Sequence, residues 1–289
     1  MFKQAVFGDE VSQDLERVIA VCKRFGLHGI ELRSVWSFKA PQDIPQAKCA
    51  EIKARLDAEG LVVCSIAAPF FKCDIDSPAE IAQHHDILRR CGEMAHFFGA
   101  GVVRGFTFWR KGAYDKARVL GLFGPVVKIL EEGDITLGIE NEASTFIGTG
   151  RRLRDFLDDL ACPRVGAIWD ACNVLYDDED KEIPYPDGYE AIKPHIIHIH
   201  IKDTAPNEQG AQECCAIGEG DIDFVGQYRA LFEDGYDGWT SLETHWRKKA
   251  LTKEQVDKPG GADYSAGAEE SSVICLENIQ RIIEQARPV

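Results

Sequence analysis

No stretch of this chain approaches about eighteen consecutive apolar residues, so no membrane-spanning helix is expected. The opening "MFKQAVFGDE" turns acidic before an apolar core or a small-residue cleavage site can form, which argues against a secretory leader. Ten cysteines are present without a single CxxC pair, and a chain of 289 residues needs no disulfide staples. Reduced, mostly buried thiols in a cytoplasmic protein are the expectation. Positive charge is in the minority, 33 Lys and Arg against 48 Asp and Glu, for a net charge of -15. Such a surface repels phosphate backbones and speaks against nucleic acid as a partner. There is also no glycine-rich phosphate turn after the first apolar run, "FGDEVSQDL", as a doubly wound dinucleotide fold would show. Neither a linker nor a low-complexity tract divides the chain, so one domain over residues 1–289 is expected.

What is present is alternation. Short runs rich in Val and Ile ("KQAVFGDEV", "GIELR", "LVVCSIAAPF", "GVVRGFTF", "ITLGIENE", "VGAIWDA", "HIIHIHI", "GWTSLETHW") alternate with longer amphipathic runs. In the first amphipathic run Leu15, Val18, Ile19 and Cys22 recur at helical spacing, with Ser12 as the expected cap, and Ser77 is the expected cap of the third. Gly121 and Pro125 are expected to kink the fourth. Eight strand–helix units in a chain of this length predict a (β/α)8 TIM barrel. Two long loops, "NVLYDDEDKEIPYPDGYE" and "RKKALTKEQVDKPGGADYSAGAEE", leave the C-terminal ends of strands six and eight, where barrel enzymes build their sites. They suit lids, solvated insertions or contacts between subunits.

The chemistry-bearing residues close the apolar runs. Glu140, Asp170 and His200 lie thirty residues apart at strand ends, and Glu243 ends the eighth run. Residues two apart share a strand face, so His198, His200 and Lys202 align, as do Gly138, Glu140 and Glu142, then Ile168, Asp170 and Cys172, and Ser241, Glu243 and His245. Barrel interiors prefer branched apolar residues, and burying unpaired charge is costly. A divalent cation on Glu140, Asp170, His200 and Glu243 resolves the cost; a salt-bridged polar rim without metal is the competing reading. Two Glu, one Asp and one His suit Mn2+, Mg2+ or Co2+, with Zn2+ a further candidate, since a structural zinc cage would use thiolates.

The pieces "GIELR", "LGIENE", "WDACN", "HIHIKD", "IGEGDIDF" and "GYDGWTSLE", in that order, resemble the xylose isomerase-like TIM barrel superfamily, in its sugar phosphate isomerase/epimerase branch. The resemblance implies metal ligands at Glu140, Asp170, His200 and Glu243, with Glu140 and Glu243 also moving protons. A substrate carbonyl and hydroxyl would chelate the ion, which stabilises an enediolate while one glutamate removes a carbon-bound proton and the other returns one. A bound cation lowers a carboxylate's pKa, and burial would have to offset this for a good base. Glu31 resembles a substrate-contacting residue of the family, or else pairs with Arg33 or Arg104. Further candidates for substrate contact are Lys72, Arg104, Glu142, His198, Lys202, His245 and Trp246. Trp36, Phe70, Phe106 and Trp109 stand at or past strand ends, where they either stack on a sugar or pack. Cys172 is expected to pack.

Three departures from the family pattern stand out. Glu142 occupies a place where many relatives have His, Cys172 one where Gly or Pro is common, and no Arg follows "HIHIKD" as in ketose 3-epimerases. An acid-sugar or sugar-phosphate isomerase and an inosose dehydratase-like lyase therefore stay open. An endonuclease IV-like phosphodiesterase would need several metals and more than the 8 histidines present, of which His84, His85 and His96 fall in a helical segment. A non-catalytic sugar-binding protein is the remaining alternative. The expected partner is a small carbohydrate, with neither membrane nor nucleic acid, and the resemblance leaves a homodimer open.

Overall fold

Branched apolar residues fit a pleated, two-sided buried surface, and the Val- and Ile-rich runs are the strands. The computed structural model describes residues 2–248, 252 and 259–288. In chain order the strands are β1 (Lys3–Phe7), β2 (Gly29–Leu32), β3 (Val62–Phe70), β4 (Val102–Gly105), β5 (Leu137–Glu140), β6 (Val165–Asp170), β7 (Ile196–Ile201), β8 (Asp203–Pro206), β9 (Gln212–Cys215) and β10 (Trp239–Leu242). Eight of them close into a barrel in the order β1-β10-β7-β6-β5-β4-β3-β2, while β8 and β9 form a separate two-stranded antiparallel hairpin. The expected (β/α)8 barrel is therefore the fold. The hairpin was not foreseen.

The chain clusters into two compact units, residues 65–198 and residues 1–64 with 199–289. In the first unit β4 and β5 run parallel with Arg104 opposite Gly138, and β5 and β6 with Glu140 opposite Ile168. Gly138 makes this closeness possible, because a Cβ there would stand 2.6 Å from Ile168 and 2.9 Å from Val102. In the second unit β1 lies between β2 and β10, with Phe7 opposite Glu31 and Val6 opposite Leu242. β10 and β7 pair Leu242 with Ile201, so the next residue of each strand, Glu243 and Lys202, also meet.

Helices α1 (Leu15–Phe25), α2 (Gln46–Ala58), α3 (Pro78–Phe98), α4 (Lys116–Gly133), α5 (Gly150–Leu160), α6 (Ala171–Leu175), α7 (Tyr189–Ile192), α8 (Phe224–Glu233) and α9 (Ala268–Ala286) fill the connections among the described residues. Side chains of Asp14, Ser77, Asp115, Thr149 and Asp223 accept from backbone N–H groups of the first turns, each satisfying a donor the helix itself cannot. Ser77 is thus the expected cap. Ser12 is not: Asp14 caps α1, and the Ser12 hydroxyl instead accepts from Asp14 N at 3.0 Å. Gly121 and Pro125 both lie inside α4, which continues through them as one element.

Strand ends are shorter than the apolar runs suggest. "GDE" after β1 forms a 3-10 turn over Gly8–Glu10, Glu142 lies past β5, and Cys172 belongs to α6 rather than to β6. His245 lies beyond β10 with φ 45, so it does not continue the strand face of Ser241 and Glu243. Among the long loops, the first carries α6 and α7; of the second, residues 249–251 and 253–258 lie outside the described residues. Among the described residues no cysteine forms a disulfide, and Cys22, Cys49, Cys64, Cys73, Cys91, Cys172 and Cys275 are buried. Among the described residues no helix is long and apolar enough to cross a membrane.

Candidate functional site

Glu140 is the last residue of β5, almost fully buried. Its Oε2 accepts from Arg104 Nη1 at 3.1 Å and its Oε1 from Asn173 Nδ2 at 3.1 Å. Arg104 is itself fixed from behind, donating to the Ala67 and Ala68 carbonyls of β3, both at 3.4 Å. Asp170 ends β6 and caps α6: its Oδ1 accepts from Cys172 N at 2.9 Å and Asn173 N at 3.3 Å. Asn141 ties the two strand ends together. Its Nδ2 donates to Asp170 O at 2.8 Å and to Gly148 O at 3.2 Å, and its Oδ1 accepts from Asp170 N at 2.9 Å.

Lys72 and Glu142, both candidates for substrate contact, pair with each other at 3.1 Å. The Lys72 ammonium lies 4.5 Å from the Phe106 ring centroid and 5.4 Å from that of Trp109, in cation–π range. Arg104 stands 5.0 Å from the same Phe106 ring. Phe70 packs instead, stacking on Phe71 with centroids 4.0 Å apart, and Phe71 stacks on Phe108 at 4.1 Å. His198 is fully buried on β7. His84 is structural, its Nδ1 accepting from Phe71 N at 2.8 Å, and burial pushes its pKa down to about 4.

In the other unit, Glu243 follows β10 and is met on both oxygens: Oε1 by Arg33 Nη1 at 2.8 Å, Oε2 by Lys202 Nζ at 3.0 Å. Burial alone would raise this carboxyl, but Lys202, His245 and Arg33 outweigh burial and hold it well below the usual range. Burial drives His245 down to about 4. At neutral pH His245 is then uncharged, so the cations holding Glu243 ionised are Lys202 and Arg33. Burial is thus outweighed by these cations at Glu243. His200 Nε2 stands 3.1 Å from Glu31 Oε1, and the Phe7 ring packs edge-on to the imidazole at 5.0 Å.

Arg33 holds three other carboxyl groups. Its Nε donates to Asp9 Oδ2 at 2.9 Å and its Nη2 to Glu10 Oε1 at 2.9 Å, besides the bond to Glu243. Glu10 also accepts from Arg247 Nη2 at 2.7 Å and from the Tyr264 hydroxyl. Burial would raise Glu10, yet Arg247, His245 and Arg33 bring it down to about 2. At Asp9 burial prevails and the carboxyl is raised despite Arg33. Trp246 is half-buried, and its carbonyl accepts from Arg247 Nη1 at 2.7 Å.

Asp9, Glu10, Asn141, Asn173, Arg247 and Tyr264 were not anticipated. Asp9 and Glu10 carry the same signal as Glu140, acids closing an apolar run; Tyr264, in a loop of small and polar residues, carries none.

Glu140 and Asp170 end strands β5 and β6 in the first unit, and His200 and Glu243 stand at the ends of β7 and β10 in the second, all four buried. In the second unit Glu10, Glu243 and His245 each offer one ligand atom within 4.8 Å of the others. The four-residue set is three carboxylates and one imidazole with no thiolate, a hard donor set that fits Mg2+, Mn2+ or Co2+ and that Zn2+ also accepts.

The family model for the xylose isomerase-like TIM barrel matches residues 19–270. An uncharacterized protein of Methanocaldococcus jannaschii, MJ1311, is 28% identical over 137 residues, 46% of this chain and 45% of that protein. The match thus spans about half the length of that relative. Among solved structures, an L-ribulose 3-epimerase superposes with a TM-score of 0.72 at 19% identity, covering 99% of this chain and 96% of that one. A xylose isomerase-like TIM barrel protein from Mycobacterium smegmatis, in complex with magnesium, gives 0.70 at 17% identity with coverage of 99% and 96%. At these identities the likeness is one of fold.

Proposed function

This chain belongs to the xylose isomerase-like TIM barrel family, and on that premise we propose that it is a carbohydrate isomerase or epimerase holding one divalent cation on Glu140, Asp170, His200 and Glu243. The observation that carries this reading is that four buried ionisable side chains stand at the C-terminal ends of four strands of one closed barrel, where barrel enzymes work. The L-ribulose 3-epimerase and the magnesium-bound relative support a sugar substrate and a divalent ion. Mn2+ is the preferred candidate.

When bound, the cation supplies Lewis-acid polarisation of a substrate carbonyl, which acidifies the neighbouring C–H. Glu140 and Glu243 are the proton-moving pair. Arg104 and Asn173 orient the first, and Arg33 and Lys202 orient the second. One carboxylate takes the proton from carbon, and the other returns a proton to the opposite face or the adjacent carbon. Glu31, Lys72, Arg104, Glu142, His198, Lys202, His245 and Trp246 remain the residues assigned to the sugar. We place the activity in one domain over residues 1–289, in the cytoplasm, with a small carbohydrate as partner.

Metal analysis after incubation with Mn2+ and desalting should find one ion per chain, lost in the Glu140→Ala/His200→Ala variant. With a reactive sugar in D2O, Glu243→Gln should cut incorporation of carbon-bound deuterium by roughly 100-fold or more. No bound ion, or full exchange in Glu243→Gln, refutes the reading.

A further inference from the structure

Arg33 spends each of its three nitrogens on a different carboxyl group, Asp9, Glu243 and Glu10, at 2.8–2.9 Å. The Phe7 and Tyr264 rings lie 4.7 and 4.9 Å from the guanidinium carbon, and only 3% of the side chain is exposed. Of all cationic side chains a guanidinium is the one that cannot shed its charge, so this is a permanent, immobile positive charge in the protein interior.

The same carboxylates could hold a metal. Glu10, Glu243 and His245 each offer a ligand atom within 4.8 Å of the others, all buried. His245 Nδ1 stands 3.3 Å from Glu10 Oε1 and 3.8 Å from Glu243 Oε1 and makes no hydrogen bond among the described residues. His245 reaches this position with a left-handed backbone, φ 45, which is uncommon outside glycine. Glu10 Oε1 and Glu243 Oε1, the two oxygens nearest that nitrogen, are the ones Arg33 holds with Nη2 and Nη1.

We propose that Arg33 is a built-in cation standing in the place of a second divalent ion at Glu10, Glu243 and His245, and that it thereby positions Glu243. The proposal rests on the one-ion reading of the neighbouring ligand set. Arg33 holds Oε1 and Lys202 Nζ meets Oε2 at 3.0 Å, so the carboxylate that would serve the first ion is fixed at both oxygens. Arg33 is a positioning residue: it acts through Glu243 and Glu10 rather than on the sugar.

The test is Mn2+ stoichiometry by calorimetric titration and elemental analysis, which does not depend on a known substrate. Wild type should saturate at one ion per chain even in millimolar Mn2+. Arg33→Met keeps an apolar stem without the charge and should take two ions; adding Glu10→Gln should return it to one. Arg33→Lys retains a cation and should stay at one. Removing the guanidinium leaves buried carboxylates short of a partner, so Arg33→Met should also be folded better in millimolar Mn2+ than in chelator, read by circular dichroism. A folded Arg33→Met protein with a single ion, or one whose folding is indifferent to Mn2+, overturns the proposal. So does wild type binding two ions, the second lost in Glu10→Gln. Wild type binding none fails differently: it removes the one-ion reading first and this inference with it.

Discussion

Asn141→Ala tests whether the proposed ligands are held by the strand ends or by the ion alone. The Asn141 side chain is fully buried and closes three hydrogen bonds, to Asp170 O, Gly148 O and Asp170 N, at 2.8, 3.2 and 2.9 Å. Two of them lock the main chain of Asp170 to the residue that follows Glu140. A buried hydrogen bond contributes about 1 kcal/mol net, so the variant should lose about 3 kcal/mol, or roughly 6 °C in Tm for a protein of this size. The looser ligand frame should also cost about 10–100-fold in Mn2+ affinity, as losses of supporting hydrogen bonds do at metal sites. Asn141→Leu has a similar volume, cannot hydrogen-bond and leaves no room for a replacing water, so it should be at least as damaging. Urea unfolding without metal measures the first effect, and Mn2+ titration of the folded variant the second. A loss below about 1 kcal/mol with wild-type Mn2+ affinity would show that Asn141 does not hold the ligands.

Acid should destabilise the protein through His84. Its folded pKa is lowered to about 4 by burial, so between the unfolded value near 6.5 and about 4 the unfolded chain binds a proton the folded one refuses. Stability from this group is whole above about pH 6.5 and falls as pH drops, by roughly 3 kcal/mol in all. In His84→Asn, whose carbonyl can still accept from Phe71 N, urea midpoints should vary less over that window; an unchanged slope would reject the assignment. Gly138→Ala would put a methyl within 2.6 Å of Ile168 Cγ1, and such overpacking costs about 1–3 kcal/mol. A melt matching wild type would mean that β5 and β6 separate freely there.

The barrel was legible because its signal is repeated. Runs such as "LVVCSIAAPF" and "VGAIWDA" are too short and too uniformly apolar for surface helices, and amphipathic runs of helical period separate them. Where local chemistry competes with that pattern, legibility fails at the residue level. Ser12 and Asp14 are both good caps, and only the backbone path decides that Asp14 accepts from Glu16 N. The β8–β9 hairpin had no apolar alternation to announce it: "DTAP" and "QECC" are short and partly exposed. They are held by a ladder from Asp203 to Gln212 and by Asp203, whose carboxylate accepts from Thr204, Gly218 and Gly220 N–H groups at 2.8–3.1 Å. A carboxylate gathering N–H groups from across a loop leaves no periodic trace.

The candidate site divides along a similar line. Glu140, Asp170, His200 and Glu243 could be found because each is an ionisable group closing an apolar run, which is an energetic anomaly visible in one dimension. Its resolution is not visible there. Burial was expected as the offset to the lowering of a carboxyl by a bound cation; at Glu243 Lys202 and Arg33 already outweigh burial and keep the carboxyl ionised. Lys202 meets it only because Leu242 pairs with Ile201 in the β10–β7 register, and a shift of one residue would turn it to the other face. Arg33, two residues beyond Glu31 on β2, was one of two arginines expected to pair with that glutamate if it did not contact substrate. The structure sends it instead to Asp9 and Glu10, across the β1–β2 pairing that sets Phe7 opposite Glu31. A sequence thus shows which charges must be paid for in the interior, whereas strand register decides which cation answers each one. At Glu243 the register brings Lys202 to one oxygen while Arg33 holds the other, and the two cations keep the carboxyl ionised.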